Sequence, residues 1–280
     1  MEQNFYLLNN GLRIPSIGYG TWKTPNGPVA TSAVLAALLA GYRHIDTAAG
    51  YRNEQSVGAA IQMSGISRSD IFITSKLPNV CRGYKSTLES FEQTLTNLQT
   101  DYLDLYLIHW PASHHRFENW EQINLDSWQA MTELYQAGKI KAIGVSNFMP
   151  HHMEALVHTE VPPMVDQIEF HPGLMWPETT EYCKRHNILV EAWSPLGTGR
   201  MLSNDTLIQI AKKYEKSVAQ LCIRWALQNG VLPLPKSLHL LRIADNLSVF
   251  DFTISPEDMV AISSIPYFGG SGLHPDEVDF

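Results

Sequence analysis

The chain has 280 residues and a formal net charge of −8, with 44% hydrophobic and 17% charged residues. This is the composition of a globular protein with a large core, and the acidic balance argues against nucleic-acid and anionic-membrane partners. Length alone would fit about two domains, yet α/β barrels of roughly 250 residues form one domain.

The first predicted element is a β-hairpin over residues 5–15, because Asn10-Gly11 is a strong turn signal between two short apolar pieces. Helical faces follow further along the chain, with apolar residues three or four positions apart. They cover residues 34–39, 88–98 and 128–134. Gly41 and Gly138 mark the ends of the first and the third.

Short apolar runs alternate with the helical patterns and are predicted as strands. One run ends at Asp46, and the others cover residues 17–19, 71–75, 103–108, 142–145, 164–168, 189–192 and 231–234. Further helices fit residues 150–157, 177–186, 207–214 and 240–249.

Two extra helices are indicated by their caps. The residues from Ser217 to Gln220 resemble a capping box, and Gly230 marks the end of that helix; Ser255 is a good N-cap with Pro256 in the first turn. Eight strand–helix units without a linker predict one α/β domain over residues 1–280. It would be a single closed (β/α)8 TIM barrel with an N-terminal β-hairpin and two extra helices.

The three cysteines, Cys81, Cys183 and Cys222, include no pair with metal-ligand spacing. Free thiols in a reducing compartment are the favoured interpretation, and neither a disulfide nor a metal site is expected. No signal peptide precedes Asn10-Gly11, and no apolar run approaches transmembrane length. The sequence therefore predicts a soluble, cytoplasmic protein, and we expect a monomer.

Titratable side chains follow three successive predicted strands. One strand ends at Asp46, with Tyr51 five residues later; the next ends at Lys76 and the one after it at His109. Each residue alone also has a structural explanation, such as a turn residue or rim packing. In a parallel barrel, however, the carboxyl ends of the strands share one face. The combination predicts a proton-transfer site.

A mechanism follows from this chemistry. A phenol with a pKa near 10 is a weak acid at neutral pH, and a nearby ammonium group lowers that pKa. Lys76 would supply the ammonium group, and Asp46 would hold Lys76 charged and in place. Tyr51 would then act as general acid toward a carbonyl oxygen while hydride arrives at the carbon. His109 would donate a hydrogen bond to the substrate oxygen.

At these residues the chain resembles the aldo-keto reductase superfamily over nearly its whole length. The resemblance rests on residues 18–22, 41–51, 107–111, 143–148, 166–172, 192–197 and 234–237. The short C-terminal segment is similar to bacterial members such as the 2,5-diketo-gluconate reductase and glyoxal reductase groups. The resemblance implies a (β/α)8 barrel that reduces aldehydes and ketones with NADPH. It also implies that Asp46, Tyr51, Lys76 and His109 form the catalytic tetrad.

The resemblance further implies a cofactor site and a substrate site. NADPH or NADP+ would contact Thr21, Ser146, Asn147, Gln167, Trp193, Ser194, Leu196, Lys236, Ser237, Arg242 and Asn246. Trp193 would stack on the nicotinamide, and the basic pair Lys236 and Arg242 would hold the 2′-phosphate. A small carbonyl substrate would contact Trp22, Tyr51, His109 and Trp110. No G-x-G-x-x-G run follows a strand, so a Rossmann site is not expected.

Aromatic residues in predicted rim loops are candidates for an apolar substrate cleft: Trp22, Trp110, Phe117, Trp120 and Trp176. Asp166 stands where many relatives have Asn, so an extra charge near Gln167 is expected. Two alternatives remain open. One is an NADH-preferring enzyme or alcohol dehydrogenase, and the other is a non-catalytic nucleotide-binding barrel that senses redox state.

Overall fold

Parallel strands follow one another around one sheet in chain order in this computed structural model, which describes residues 5–278 and 280. Within those residues the sheet has eight strands: β3 (Tyr19–Gly20), β4 (His44–Asp46), β5 (Phe72–Leu77), β6 (Leu105–Ile108), β7 (Ile143–Ser146), β8 (Val165–Glu169), β9 (Leu189–Trp193) and β10 (Leu232–Leu234). The first and last strands are joined by backbone bonds of 3.1 Å, from Gly18 N to Pro233 O and from Gly20 N to Pro235 O. These bonds close the sheet, and the predicted barrel is confirmed.

Glycine is needed at this seam because the two strands approach closely. A Cβ on Gly18 would lie 2.5 Å from Leu234 Cδ2, and one on Gly20 would lie 3.1 Å from Leu234 O. The first barrel strand was predicted over residues 17–19 and is found at Tyr19–Gly20. Gly18 lies just before this strand and also bonds to β10, because its N–H donates to Pro233 O.

The predicted hairpin is also confirmed, as the antiparallel pair β1 (Phe5–Leu7) and β2 (Arg13–Pro15). Asn9 Nδ2 donates to Pro163 O and Asn10 Nδ2 donates to Lys141 O, each at 3.0 Å. Because Pro163 and Lys141 lie two residues before β8 and β7 begin, the hairpin lies at the end of the barrel where the strands begin. The opposite end, where the strands terminate, is left open for a site.

Helices surround the strands and bury the barrel's outer face. They are α1 (Pro28–Ala40), α2 (Glu54–Ser64), α3 (Tyr84–Leu98), α4 (Trp120–Gln136), α5 (Pro150–Met153), α6 (Pro177–Arg185), α7 (Asp205–Lys213), α8 (Val218–Gln228), α9 (Leu240–Leu247) and α10 (Pro256–Ser263). The helix predicted over residues 150–157 ends at Met153. Beyond Met153 some backbone hydrogen bonds join residues three positions apart, such as Leu156 N to Met153 O, and such turns are tighter than those of an α-helix.

The two extra helices begin at the predicted caps. Ser217 and Gln220 form a reciprocal capping box at α8, and the Ser255 side chain accepts from Asp258 N at α10. Such caps satisfy backbone N–H groups that have no partner inside the helix. Across the described residues the three cysteines are free thiols. No helix in that part of the chain is both long and apolar enough to cross a bilayer.

Candidate active site

The ammonium group of Lys76 is the centre of the site. Lys76 is fully buried on β5, and its Nζ lies 2.9 and 2.7 Å from the two carboxylate oxygens of Asp46. The same nitrogen donates to Thr47 O at 2.9 Å and to the Tyr51 hydroxyl at 3.4 Å. The carboxylate and the phenol predicted to flank Lys76 therefore lie beside it.

Tyr51 and His109 face each other across the mouth of the barrel. A single 3₁₀ turn, Ala49–Tyr51, follows β4 and ends at Arg52 in the left-handed conformation, with φ 57°. The Tyr51 and His109 rings meet edge to face with centroids 5.5 Å apart. The structure thus brings all four predicted catalytic residues to one wall of the site.

Burial governs the protonation states of these groups. Burial raises the pKa of Tyr51 to about 12; the Lys76 charge opposes this shift, and Asp46 reinforces it. Lys76 thus acts on this phenol in the expected direction, but desolvation outweighs the ammonium group and the net shift of the Tyr51 pKa is upward. Burial also opposes the charge on Lys76, but Asp46 and Tyr51 raise the pKa of Lys76 overall.

His109 is neutral at physiological pH. Burial lowers the pKa of His109 to about 3, and the nearby Lys76 charge acts in the same direction. A neutral imidazole carries one N–H, so it donates a hydrogen bond but does not supply a proton as an imidazolium ion would. This favours the carbonyl-orienting role expected for His109 over direct proton donation.

A second buried acid, Glu191 on β9, joins the site through Gln167. Gln167 Nε2 donates to Asp46 Oδ2 at 2.9 Å and to Glu191 Oε2 at 2.8 Å. Burial raises the pKa of Glu191 to about 8, with a further contribution from the Asp46 charge. Sequence reasoning missed Glu191. The available signal was a carboxyl residue inside the apolar run of residues 189–193.

The polar residues predicted for the carboxamide lie at the ends of β7, β8 and β9. Ser146 Oγ donates to Gln167 O at 2.7 Å, and Asn147 Nδ2 donates to His109 O at 3.0 Å. Trp193 Nε1 donates to Asn147 Oδ1 at 2.8 Å. Asn147 has φ 62°, a left-handed conformation that costs energy outside glycine. These bonds hold the Trp193 ring at the mouth of the barrel.

Two adjoining cavities open at this end of the barrel, and Trp22 lines both. The larger has a volume of about 730 Å³. Its lining includes six of the predicted cofactor residues, Ser194, Leu196, Lys236, Ser237, Arg242 and Asn246. Thr21 does not line it, since Thr21 is buried and its hydroxyl donates to Asp46 O at 2.9 Å.

The smaller cavity, of about 300 Å³, contains two of the four predicted catalytic residues, Tyr51 and His109. It is lined by Tyr51, His109, Ser146, Asn147, Gln167 and Trp193, together with Trp22 and Trp110. Leu273 and Phe280 also line it, and the Phe280 ring lies 5.3 Å from that of Trp110. Sequence reasoning treated the final segment as irregular and did not place it in the site.

Three of the predicted rim aromatics lie elsewhere. Trp120 is the first residue of α4 and lies 5.5 Å from the His152 ring, not in a rim loop. Phe117 lies beneath the Arg82 guanidinium group, and neither Trp120 nor Phe117 is among the residues that line the 300 Å³ cavity. Trp176 donates to Glu169 O at 3.0 Å and lines a very small cavity that shares Trp110 and Trp193 with the 300 Å³ cavity.

The C-terminal segment is tied to the barrel rim. Glu169, at the end of β8, accepts from Ser271 N at 2.8 Å and from Ser271 Oγ at 2.5 Å. Arg200, in the 3₁₀ segment Gly197–Ser203 beside the larger cavity, donates to Gly270 O at 2.7 Å. These contacts connect the walls of the two cavities.

Further anchors lie on α5 and near the end of the chain. Asp276 Oδ1 is 2.8 Å from His151 Nε2 and 3.2 Å from His152 Nε2. Met149 N donates to His152 Nδ1 at 3.1 Å, which fixes the His152 ring beside Asp276. Arg82 donates to Phe280 O at 3.1 Å. The segment is thereby held across the mouth of the smaller cavity.

Asp166 does not add a charge to the site, contrary to expectation. Successive residues of a strand face opposite sides, so Asp166 faces outward while its neighbour Gln167 faces the barrel interior. Its carboxyl oxygens lie 3.4 Å from Phe148 N and 3.8 Å from Cys183 Sγ. Burial raises the pKa of Asp166 well above its ordinary value, and the Phe148 N–H and the Cys183 thiol oppose that shift.

A parallel barrel with an ammonium–carboxylate pair beside a phenol at its open end is typical of an enzyme that moves protons at a substrate oxygen. The Aldo/keto reductase family model matches residues 16–266. The chain belongs to this family and is an oxidoreductase.

Relatives and solved structures agree with this assignment. The chain is 49% identical over 274 residues to glyoxal reductase of Bacillus subtilis, spanning 98% of this chain and 96% of the relative. An aldo-keto reductase, MGS-M4, from a Medee basin deep-sea metagenome library has 44% identity and a TM-score of 0.92, covering 99% of this chain and 100% of its own. A Gox0644 mutant solved in complex with NADPH has 39% identity and a TM-score of 0.90, with both chains covered completely.

Proposed function

We propose that this chain reduces aldehydes and ketones to alcohols with NADPH. The observation that carries the proposal is the pair of adjoining cavities. One has basic residues at its wall, the other holds Tyr51 and His109, and Trp22 belongs to both. An extended dinucleotide laid through the larger cavity would bring its nicotinamide end to the proton-donating wall.

The residues along this path fit NADPH. Lys236 and Arg242 carry charges suited to a 2′-phosphate, and Ser237 offers a hydroxyl beside them. Trp193 presents a flat aromatic ring held by Asn147, and Ser146 and Gln167 line the same wall. The similarity to a protein solved with NADPH supports the same cofactor here.

Each residue of the catalytic wall has a separate task. Bound NADPH would supply the hydride. Tyr51 holds a proton at its hydroxyl, and its high pKa keeps that proton in place until charge develops on the substrate oxygen. The Lys76 ammonium, fixed by Asp46, stabilises the phenolate that proton donation leaves behind. His109, as a neutral donor, orients the carbonyl oxygen.

The smaller cavity favours small and medium carbonyl compounds with apolar substituents. Its volume of about 300 Å³ is at the lower limit of ordinary ligand pockets. Trp22, Trp110, Leu273 and Phe280 supply most of its apolar wall. Since a relative at 49% identity is a glyoxal reductase, α-dicarbonyl compounds belong in the first substrate screen.

The test is NADPH oxidation with methylglyoxal, phenylglyoxal and benzaldehyde by wild type and by Tyr51→Phe. The variant keeps the ring and loses only the hydroxyl, so carbonyl reduction should fall by about 10²–10⁴-fold. NADPH affinity, measured by tryptophan fluorescence, should stay close to that of wild type because Lys236 and Arg242 are unchanged.

Three outcomes would count against the proposal. Retained turnover in Tyr51→Phe would remove Tyr51 as the acid and direct attention to His109. Tight NADPH binding by wild type without turnover of any carbonyl compound would support the non-catalytic nucleotide-binding alternative. Preferential binding and use of NADH would support the alternative of an NADH-preferring enzyme.

A further inference from the structure

We propose that Glu191 is a positioning residue that, together with Asp46, fixes which way the Gln167 amide faces. The proposal deepens the proposed function, on which it rests, because it concerns how the cofactor's carboxamide would be recognised. It starts from three buried side chains of the barrel interior: Glu191, Gln167 and Asp46, which are 0–3% exposed.

Two carboxyl groups accept hydrogen bonds from the same nitrogen, Gln167 Nε2. Gln167 Nε2 carries two hydrogens and lies 2.9 Å from Asp46 Oδ2 and 2.8 Å from Glu191 Oε2. The Asp46 carboxylate, which is paired with the Lys76 ammonium, can only accept, and Glu191 Oε2 accepts from the same amide nitrogen, so the NH₂ end of the amide faces both neighbours. Register supports this arrangement, since Gln167 on β8 pairs directly with Glu191 on β9 and both side chains face inward.

The opposite end of Gln167 is then its carbonyl oxygen. Gln167 lines the 300 Å³ cavity, and among the described residues none donates to its Oε1. The site therefore presents an acceptor at this point, which matches an N–H of a primary carboxamide and mismatches a group without N–H. Were Glu191 apolar, Asp46 alone would hold the amide through one hydrogen, and Gln167 would be fixed by one hydrogen bond instead of two.

Among the described residues, the Glu191 side chain has no hydrogen-bond partner other than Gln167. Its Oε2 accepts from Gln167, and its Oε1 is buried without a hydrogen-bond partner within the described part of the chain. Burial of such an acid is costly, and that cost shows in the raised pKa of Glu191. If Glu191 only filled space, an apolar side chain would be more stable at this position. The hydrogen bond between Glu191 and Gln167 is therefore the feature to test.

The experiment compares NADP+ with its 3-acetylpyridine analogue, in which a methyl group replaces the carboxamide NH₂. Binding to the wild type, Glu191→Met and Glu191→Gln is followed by tryptophan fluorescence, without any need for turnover. In the wild type, loss of one hydrogen bond should make the analogue about tenfold weaker than NADP+. In Glu191→Met that ratio should fall to about two or less, because Gln167, held by one hydrogen bond instead of two, can swing away from the carboxamide.

Glu191→Gln is the matched control, because its amide carbonyl can still accept from Gln167 and should preserve the tenfold ratio. An unchanged ratio in Glu191→Met would overturn the inference. If Glu191→Met does not fold, Glu191→Ala carries the same expectation. Binding of 2′,5′-ADP reports separately on the phosphate end. If wild type binds neither NADP+ nor 2′,5′-ADP, the proposed function itself fails.

Discussion

Replacing Glu191 by glutamine should make the free energy of unfolding less dependent on pH. Glu191 is fully buried, and its pKa is about 8 in the folded protein against an ordinary value of 4.5. The folded state thus binds this proton more tightly than the unfolded state does. Stability from this group is fully present below pH 4.5 and is lost as the pH rises, until Glu191 ionises in the folded protein near pH 8.

The size of the effect follows from the same two values. One pKa unit corresponds to about 1.4 kcal/mol, so a shift of about 3.5 units corresponds to a total loss of roughly 5 kcal/mol. Between pH 5 and 8 the wild type should lose about 1.4 kcal/mol per pH unit relative to Glu191→Gln. Glutamine keeps the acceptor for Gln167 and has no proton to lose.

The assay is equilibrium urea unfolding at half-unit steps from pH 5 to 9, with wild type and variant measured side by side. Subtracting one curve from the other cancels titrations that the two proteins share. Glu92→Gln, on the exposed face of α3, controls for the chemical change itself. A difference between wild type and Glu191→Gln that is constant across this range would show that burial does not hold the Glu191 proton.

Other predictions concern the cofactor, the acid, an outward-facing carboxyl and the substrate. Arg242→Ala should weaken NADPH binding about tenfold in a fluorescence titration and leave NADH nearly unchanged; equal losses would refute a 2′-phosphate contact. Lys76→Met should lower the rate of carbonyl reduction by about 10²-fold or more, because nothing else would stabilise the phenolate, and a near-normal rate would contradict this role. Asp166→Asn should raise the free energy of unfolding at pH 7 but not at pH 4, since the pKa of Asp166 is raised by burial; equal gains at both pH values would refute that cause. Aromatic and medium aliphatic carbonyls should have higher kcat/KM than open-chain sugars, because Trp110 and Phe280 form an apolar wall, and the opposite ranking would contradict it.

Local signals were enough to predict the barrel and the grouping of Asp46, Tyr51, Lys76 and His109 at its open end. Ser217 and Ser255 cap their helices through contacts within a few residues, which sequence spacing displays directly. Asp46, Lys76 and His109 were grouped because neighbouring parallel strands must end on the same face. That argument needs only strand order and does not depend on side-chain detail.

Long-range contacts were beyond the reach of the sequence pattern. The contact between Gln167 and Asp46 spans 121 residues, and nothing in the periodicity of either strand indicates it. The net pKa of Tyr51 depends on how completely the folded chain excludes water, a property of the whole site. Trp120 was misplaced because a tryptophan at the start of a helix and one in the preceding loop look alike in sequence.

The positions of the two ends of the barrel bear on how the protein should be handled. Phe280 forms part of the wall of the smaller cavity, so a purification tag added after it would start at the entrance of that cavity. The hairpin that begins at Phe5 lies at the opposite end of the barrel. A tag or surface linkage placed before the hairpin would leave that entrance unobstructed and facing the solution.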